Sequence, residues 1–536
     1  MEKRTLLALA LSFLVLGFYP VILDKFYPQA KVPVKRNPAV VSPVSPVGAS
    51  SLGSRREEFS KDKDFLLRNP SLEMVLNSAG SGIREISFLK FLDHKKNAPI
   101  RFFSSKAASG STAFVNFLDL PQDSAQGSGD YAVTREANTL TAARRLSNGL
   151  KITKIYRLHE GYGTDLSLSF ENDSAEPIEF RYQLVAGAAL EPRHPIDDQY
   201  LEANFYSRVS DRGVLRHVRE TKAGKTVQSQ GPVEWVAVKD RHFSVILKPN
   251  PGPVFFGFVE GLGNHRFGAS LLSDRLKLAP KDTLRHEFTL YAGPNEVDAL
   301  LPFGLDPIVN FGKMDLIGKL LVGMLELLHR VFHNYGLAII ALTLLTNLLL
   351  FPLTRVSFMS MKRMQLVQPQ MNKLKEQHKK NPEKLNREMM ELYRKHKVNP
   401  FGGCLPMLLQ MPIFIALYVA LSKSVILINS KLLWIQDLSL PDSVPLPLAL
   451  PFVGKDVHVL PLIMVAAMVV QQKMTQIKME GQDTSLEAQQ KIMAAVMPVM
   501  FGFIFYSMPS GLVLYWLTNT LWMTLYQLYL KKTTLT

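Results

Sequence analysis

Long apolar runs fill the C-terminal part of this 536-residue chain, and they constrain its fold more than any other feature. A helix needs about 20 apolar residues to cross the hydrocarbon core of a bilayer, and inside that core only helices or closed barrels satisfy the backbone. The runs therefore predict a polytopic α-helical membrane protein. Six transmembrane helices are expected, at residues 5–23, 335–354, 405–421, 459–470, 492–508 and 511–530.

The first of these runs is either an uncleaved anchor or a cleaved signal peptide. It follows Lys3 and Arg4, but no small-x-small cleavage site comes after it. We therefore predict an N-terminal transmembrane anchor over residues 1–27.

Charge in the loops sets the expected orientation. Residues 355–403 carry twelve Lys or Arg and four Glu, whereas residues 422–458 carry three Lys and three Asp. The basic loop is therefore predicted to be cytoplasmic, with both termini, including the short tail 531–536, on the same side. Topology accounts for much of the net charge of +16, so no specific nucleic acid partner is expected, although a ribosome contact is left open.

The segment before the second apolar run is expected to lie outside the cytoplasm. Residues 28–60 are rich in Pro, Val and Ser without periodicity, which is typical of a flexible linker. Residues 61–300 contain short alternating runs between Gly, Pro, Asn and Asp, which predicts a large all-β sandwich of antiparallel strands. One loop, residues 191–200, gathers His194, Asp197 and Asp198, either as a sugar-binding or catalytic cluster or as ordinary solvated residues.

Two further helical segments flank the second apolar run. Residues 301–334 are predicted to form an interfacial amphipathic helix, and a core helix of the outside domain is the alternative. The basic loop is predicted to form a helical hairpin broken at Asn381 and Pro382. Its methionines either accept varied partner sequences or pack together. We expect its first residues to receive a partner on the cytoplasmic side: Arg355, Lys362 and Arg363.

Polar side chains recur within three of the apolar runs. An amide in hydrocarbon costs several kcal/mol unless it is hydrogen-bonded. These groups therefore either bond to one another across helices or line a water-filled recess, and sequence alone leaves both possibilities open. The candidate groove residues are Thr343, Thr346, Asn347, Gln410, Met411, Tyr515, Trp516, Thr518 and Asn519.

Four motifs stand out in the C-terminal half: VNPFGGCLPMLLQMPIFIALYVAL (398–421), FPLT (351–354), MQLVQPQMNKL (364–374) and MPSGLVLYW (508–516). They resemble motifs of the YidC family of bacterial membrane-protein insertases. The anchor, linker and sandwich also resemble the Gram-negative form, so the similarity covers nearly the whole chain.

The resemblance implies a five-helix conserved core around a hydrophilic groove, a periplasmic β-supersandwich and location in the bacterial inner membrane. It also implies nascent membrane-protein clients, inserted with or without the Sec translocon and released into membrane lipid. Many members carry an arginine in the groove, and Asn347 stands at the matching position here.

Two other functional classes fit less well. A solute transporter or channel would tend to show internal repeats and charged residues in mid-membrane, and an intramembrane hydrolase would need a base near its serine. The apolar runs contain neither a repeat nor a mid-run charge. No glycine-rich phosphate loop is present. We therefore expect an insertase that is not an enzyme and uses no cofactor.

Overall fold

The computed structural model describes most of the chain from residue 64 onwards. The predicted anchor and linker, and Cys404, lie outside the described residues. The described ranges are 64–93, 97–104, 110–120, 130–188, 195–209, 212–218, 224–263, 266–378, 381–396, 405–450, 454–475 and 484–533.

The N-terminal half of the described chain, residues 64–294, forms the predicted β-sandwich. Twenty strands lie in antiparallel sheets. They are β1 (Asp64–Arg68), β2 (Leu72–Asn77), β3 (Ile83–Asp93), β4 (Ala98–Ser104), β5 (Val115–Phe117), β6 (Ala132–Glu136), β7 (Thr139–Arg145), β8 (Leu150–Leu158), β9 (Gly163–Asn172), β10 (Ile178–Phe180), β11 (Tyr182–Ala188), β12 (Glu202–Val209), β13 (Arg212–Val218), β14 (Thr226–Pro232), β15 (Trp235–Lys239), β16 (Phe243–Pro249), β17 (Phe255–Gly263), β18 (Arg266–Ser273), β19 (Leu276–Leu278) and β20 (Thr283–Pro294).

Two large sheets face each other across the main apolar core. One has nine strands in the order β13-β12-β15-β16-β20-β9-β8-β7-β6, and the other has five in the order β14-β17-β18-β11-β5. A four-stranded sheet, β1-β2-β3-β4, and the pair β10-β19 complete the sandwich. Every second residue of β8 is buried, and the residues between them are more exposed. Because successive side chains of a strand point to opposite faces, this alternation turns one apolar face of the sheet toward the core. The sequence prediction of a sandwich is confirmed.

The C-terminal part is helical, and its helix boundaries differ from the predicted ones. Between the fifth and sixth helices a short hairpin pairs β21 (Val444–Leu450) with β22 (Gly454–Val457). The helices are α1 (Asp315–Phe332), α2 (Tyr335–Leu349), α3 (Phe351–Gln377), α4 (Pro382–Lys395), α5 (Leu405–Lys423), α6 (Val459–Thr475), α7 (Thr484–Phe505) and α8 (Ser510–Thr533).

The second predicted span is broken rather than straight. It ends at Leu349, and α3 begins with Phe351 and Pro352 at an angle of 61°. Proline has no N–H to continue the preceding helix and is well placed in the first turn of a new one. The first helix of the predicted hairpin therefore begins at Phe351, four residues before the predicted start at residue 355. The predicted break at Asn381 and Pro382 does separate α3 from α4.

No single described helix is both long and apolar enough to cross a bilayer by itself, although α2 together with residues 351–360 forms one bent pair that is. The helices nevertheless expose large apolar side chains. Leu349 is 78% exposed and Phe503 is 86% exposed, whereas within residues 64–294 the highest value is 47%, at Val254. Exposed apolar surface of this kind marks contact with a partner or with lipid.

Helix α1 has two apolar faces. Gly318, Leu321 and Leu325 are buried against the helices α2 and α5. Leu316 and Leu320 are largely exposed and belong to the second apolar face. The helix also packs on the bundle instead of serving as a core helix of the sandwich. Residues 301–314, predicted as part of the same helix, form separate short 3₁₀ turns.

The sandwich is fastened to the helices by specific contacts. The buried Arg241 Nε donates to the carbonyl of Ser422 near the end of α5, and Arg241 Nη1 lies 3.5 Å from Asp197 Oδ1. In the segment that joins the sandwich to α1, the Asn310 carbonyl accepts from Lys423 Nζ at 2.8 Å. Asp197 is thus buried in an ion pair, so neither alternative considered for its loop, a catalytic cluster or a solvated loop, describes this residue.

Candidate functional site

The polar side chains of α2 turn their hydrogen bonds back onto their own helix. Thr343 Oγ1 donates to the Ile339 carbonyl at 2.7 Å, and Thr346 Oγ1 donates to the Thr343 carbonyl at 2.9 Å. Asn347 Nδ2 donates to the same carbonyl at 2.8 Å. All three side chains that carry these groups are buried. Because these bonds satisfy donors within the helix, they do not join α2 to its neighbours.

The side-chain oxygen of Asn347 is an unsatisfied hydrogen-bond acceptor in the described part of the chain. Its side chain is 2% exposed, and Oδ1 has no hydrogen-bond partner among the described residues. A buried acceptor in that state costs about 1–3 kcal/mol. Such a cost is usually retained only where the group serves a purpose other than stability.

Helix α8 packs along α2 and repeats this arrangement. Thr518 Oγ1 donates to the Leu514 carbonyl at 2.8 Å, within the helix. The neighbouring Asn519 has a buried Oδ1 that also lacks a partner in the described part of the chain. Two packed helices therefore each present one unused amide acceptor.

One cross-helix bond does occur among the candidate residues. Gln410 Nε2 on α5 donates to the hydroxyl of Tyr515 on α8. Tyr515 is buried and Gln410 is partly exposed. Met411, next to this bond, is also partly exposed. The bond ties α5 to α8, so Gln410 and Tyr515 play a structural part whatever else they do.

Trp516 belongs to an aromatic cluster. Its ring stacks on Phe501 with centroids 5.2 Å apart and meets Phe414 edge-on at 4.9 Å. Phe505 lies 5.3 Å away. These rings come from α5, α7 and α8, so the cluster holds three helices together at the height of the Gln410–Tyr515 bond.

The basic residues proposed for reception lie on α3, beyond the bend. Arg355 and Arg363 are exposed, and the side chain of Lys362 lies outside the described part. Further along, α3 and α4 form a hairpin in which Val367 and Met371 pack with Met389 and Leu392. At least two of the hairpin methionines therefore pack together.

Some buried polar residues of the bundle were not among the candidates predicted from the sequence. Thr354 and Thr524 bond to carbonyls four residues earlier, and both are buried. Tyr526 is flanked by Phe351 and Phe358, and its buried hydroxyl has no partner among the described residues. Tyr526 follows Asn519 by seven residues, which is two helical turns and hence the same face of α8. The seven-residue spacing could therefore have identified Tyr526 from the sequence.

The candidate groove residues on α2, α5 and α8 together form a polar seam without formal charge. The nine candidate groove residues include amides, hydroxyls, a thioether and an indole, and none carries a formal charge. Among the described residues, no group of His, Cys, Asp or Glu could hold a metal ion. The arrangement can exchange hydrogen bonds with a polar chain segment and offers no nucleophile paired with a base.

Comparisons with known proteins agree with this description. Residues 66–324 match the YidC periplasmic domain family, and residues 327–536 match the 60Kd inner membrane protein family. The chain is 32% identical to the membrane protein insertase YidC of Pelobacter propionicus over 99% of both chains. It is 35% identical to that of Endomicrobium trichonymphae over 88% of this chain and 86% of the other.

Among solved structures, an active YidC insertase with its first transmembrane domain resolved matches at 21% identity. The match covers 88% of this chain and 94% of that one, with a TM-score of 0.39. Because the similarity to the sequence relatives extends over nearly the full length at above 30% identity, this chain belongs to the YidC family of membrane protein insertases.

Proposed function

We propose that this protein inserts small membrane proteins into the bacterial inner membrane by offering their polar tails hydrogen bonds within the bundle. Asn347 Oδ1 and Asn519 Oδ1 are the observation that carries the proposal. Both are buried acceptors without a partner among the described residues, on two helices that pack together. A backbone N–H of an entering chain would bond to them and would lose less free energy on leaving water.

The client's path begins at the hairpin α3–α4. Its exposed basic residues, Arg355 and Arg363, would meet the client or the ribosome on the cytoplasmic side. The polar tail would then move along the seam of α2 and α8, past Thr343 and Thr518. The aromatic face of Trp516 and the thioether of Met411 would let apolar side chains slide past without fixed partners.

Release is driven by the client's own apolar segment. About 20 apolar residues moving from water into lipid supply the free energy, without a nucleotide. The exposed apolar residues of α2 and α7, such as Leu349 and Phe503, would form the lipid-facing side of the bundle. Five helical spans after the anchor, with both termini cytoplasmic, are part of the proposal, as is work alone or beside the Sec translocon.

The decisive experiment measures insertion of a small client in cells depleted of the native insertase. Asn347→Leu and Asn519→Leu should each slow insertion, because each removes one acceptor. The double variant should slow insertion by no more than the product of the two single-variant fold-changes. Asn386→Leu, the same change at an exposed position of α4, should insert clients normally.

Normal insertion by both single variants, at normal protein abundance, would overturn the proposal and leave the two amides as packing residues. Loss of a solute flux together with normal insertion would instead favour the transporter class.

A further inference from the structure

A cavity of about 580 Å³ lies where the sandwich meets helix α1. Its walls come from the end of β15 and the turn after it, the segment after β20, the turns before α1, α1 itself and the end of α5. It is distant in sequence from the polar seam of α2 and α8. Cations and carboxylates line it together, including Arg241, Glu296, Asp298, Glu326 and Lys423.

One side of the cavity is acidic. Glu296 and Asp298 lie just after β20, and Glu326 lies on α1. Burial raises the pKa of Glu296 to about 7, and the neighbouring Glu326 and Asp298 raise it further in the same direction. Neither Glu296 nor Asp298 has an ion pair in the described part of the structure. A bound cation would relieve this repulsion.

A buried guanidinium supplies the opposite charge. The Arg241 side chain is 1% exposed, and two of its nitrogens already have partners, Asp197 and the Ser422 carbonyl. Its third nitrogen, Nη2, is buried without a hydrogen-bond partner among the described residues, and Arg241 lines the cavity. An unused guanidinium N–H calls for an acceptor, and anionic oxygens make the strongest bonds to it.

The surroundings indicate where such a ligand comes from. Helix α1 turns Glu326 toward the cavity, and it leaves Leu320, Leu327 and Val331 exposed. An amphipathic helix with an exposed apolar face lies at a membrane surface. A molecule with a charged head and apolar tails would reach both features at once.

We propose that this cavity binds the phosphoethanolamine head of a membrane lipid. The ammonium would lie among Glu296, Asp298 and Glu326, and the phosphate would accept from Arg241 Nη2. The acyl chains would run along the exposed leucines of α1. Because an ammonium donates three hydrogen bonds and a trimethylammonium donates none, the site should prefer phosphatidylethanolamine to phosphatidylcholine.

The test measures lipid retained by the full-length protein, purified from vesicles of equal parts phosphatidylethanolamine, phosphatidylcholine and phosphatidylglycerol, by native mass spectrometry. Phosphatidylethanolamine should exceed the other two by about tenfold, the ratio expected for loss of one charge-assisted bond. The variant Glu296→Gln/Glu326→Gln should lose that preference. The matched control Glu383→Gln/Glu391→Gln, on exposed positions of α4, should keep it.

Arg241→Lys tests the phosphate end, since lysine keeps the charge beside Asp197 but has no Nη2. It should lower retention of phosphatidylethanolamine while thermal unfolding stays cooperative. Free O-phosphoethanolamine serves as the water-soluble probe and should compete only weakly with the lipid. Equal retention of the three lipids, preference for phosphatidylglycerol, or competition by the free compound as strong as by the lipid would each overturn the proposal.

Discussion

Replacing Asn347 by leucine should leave the protein as stable as before or more stable, even though the residue is buried. The substitution removes an unpartnered acceptor, which costs about 1–3 kcal/mol when buried. It also removes one bond from Nδ2 to the Thr343 carbonyl, worth about 1 kcal/mol. The difference is a gain of about 0–2 kcal/mol.

The carbonyl that loses this bond is not left unpaired. The Thr343 carbonyl lies four residues before Asn347 within α2, so it keeps its helical N–H donor. Leucine also suits a helix interior whose neighbours are mostly leucine. Apart from the Nδ2 bond already counted, only hydration of the amide inside the bundle favours the native asparagine, and that term would move the gain toward zero.

Gln410→Leu provides the contrast, because the same kind of change should have the opposite sign. Gln410 donates to Tyr515, and the Tyr515 side chain is 1% exposed. Without its partner the buried hydroxyl is stranded, and the variant should lose about 1–3 kcal/mol. Tyr515→Phe should cost less, since the amide it strands is partly exposed.

The assay is thermal unfolding of the full-length protein in one detergent, with the three variants compared side by side. A change of 1 kcal/mol moves the midpoint by about 2–4 °C for a unit of 150–250 residues. The expected order of midpoints is Asn347→Leu at or above wild type, then Tyr515→Phe, then Gln410→Leu. If Asn347→Leu unfolded as early as Gln410→Leu, the amide would be holding helices together, and the reasoning about its acceptor would be wrong.

Three further substitutions test other parts of the molecule. Lys154 is buried in the sandwich with three carbonyl acceptors, and burial lowers its pKa to about 7. Above pH 7 the unfolded chain therefore binds more protons than the folded chain, so the free energy of unfolding should rise from pH 7 to pH 9.5. Lys154→Met should flatten that rise, measured by thermal unfolding across this pH range. Equal pH slopes for the wild type and the variant would show that the carbonyl bonds cancel the effect of burial. Gly336→Ala would place its new methyl group 2.7 Å from the Leu432 side chain and should destabilise by about 1–3 kcal/mol. Gly323→Ala, with open space around it, should stabilise by about 0.5–1 kcal/mol in the same assay.

Local patterns in the sequence predicted the strands of the sandwich and the break before α4, but they did not predict every helix boundary, and the reasons are physical. Alternation identified the strands, because a strand buried on one face repeats every two residues. The break before α4 followed from Pro382, whereas the bend at Pro352 was missed because apolar residues continue on both sides of it. An apolar run indicates that a segment is buried in protein or lipid, but it does not indicate where the helix axis bends.

Pairings between distant residues were the other limit. Arg241 and Asp197 are 44 positions apart, and Gln410 and Tyr515 are 105 apart. Neither pair has a local signature, since each depends on how whole elements pack. The sequence could nominate Asn347 as a polar residue needing a partner. It could not say that the donor would be satisfied within α2 while the acceptor stays unused.

The neutral seam leads to a last prediction, about the charge of the client. A groove arginine would attract acidic residues of an entering tail, but the nine candidate groove residues carry no charge. Insertion by this protein should therefore change little, within about twofold, when an aspartate in a client tail is replaced by asparagine, since a twofold change is only about 0.4 kcal/mol.

Asn347→Arg should make insertion charge-sensitive. Two unit charges 4 Å apart attract by about 4 kcal/mol at an effective dielectric constant of 20, and desolvation offsets part of this. A preference of about tenfold for the acidic tail is therefore expected for the variant, measured as insertion of matched acidic and neutral clients at equal protein abundance. A strong preference already present in the wild type would mean that another cation greets the client. Arg355, exposed beyond the bend, would then be the first to replace by glutamine, and the neutral amide seam would no longer explain client selection.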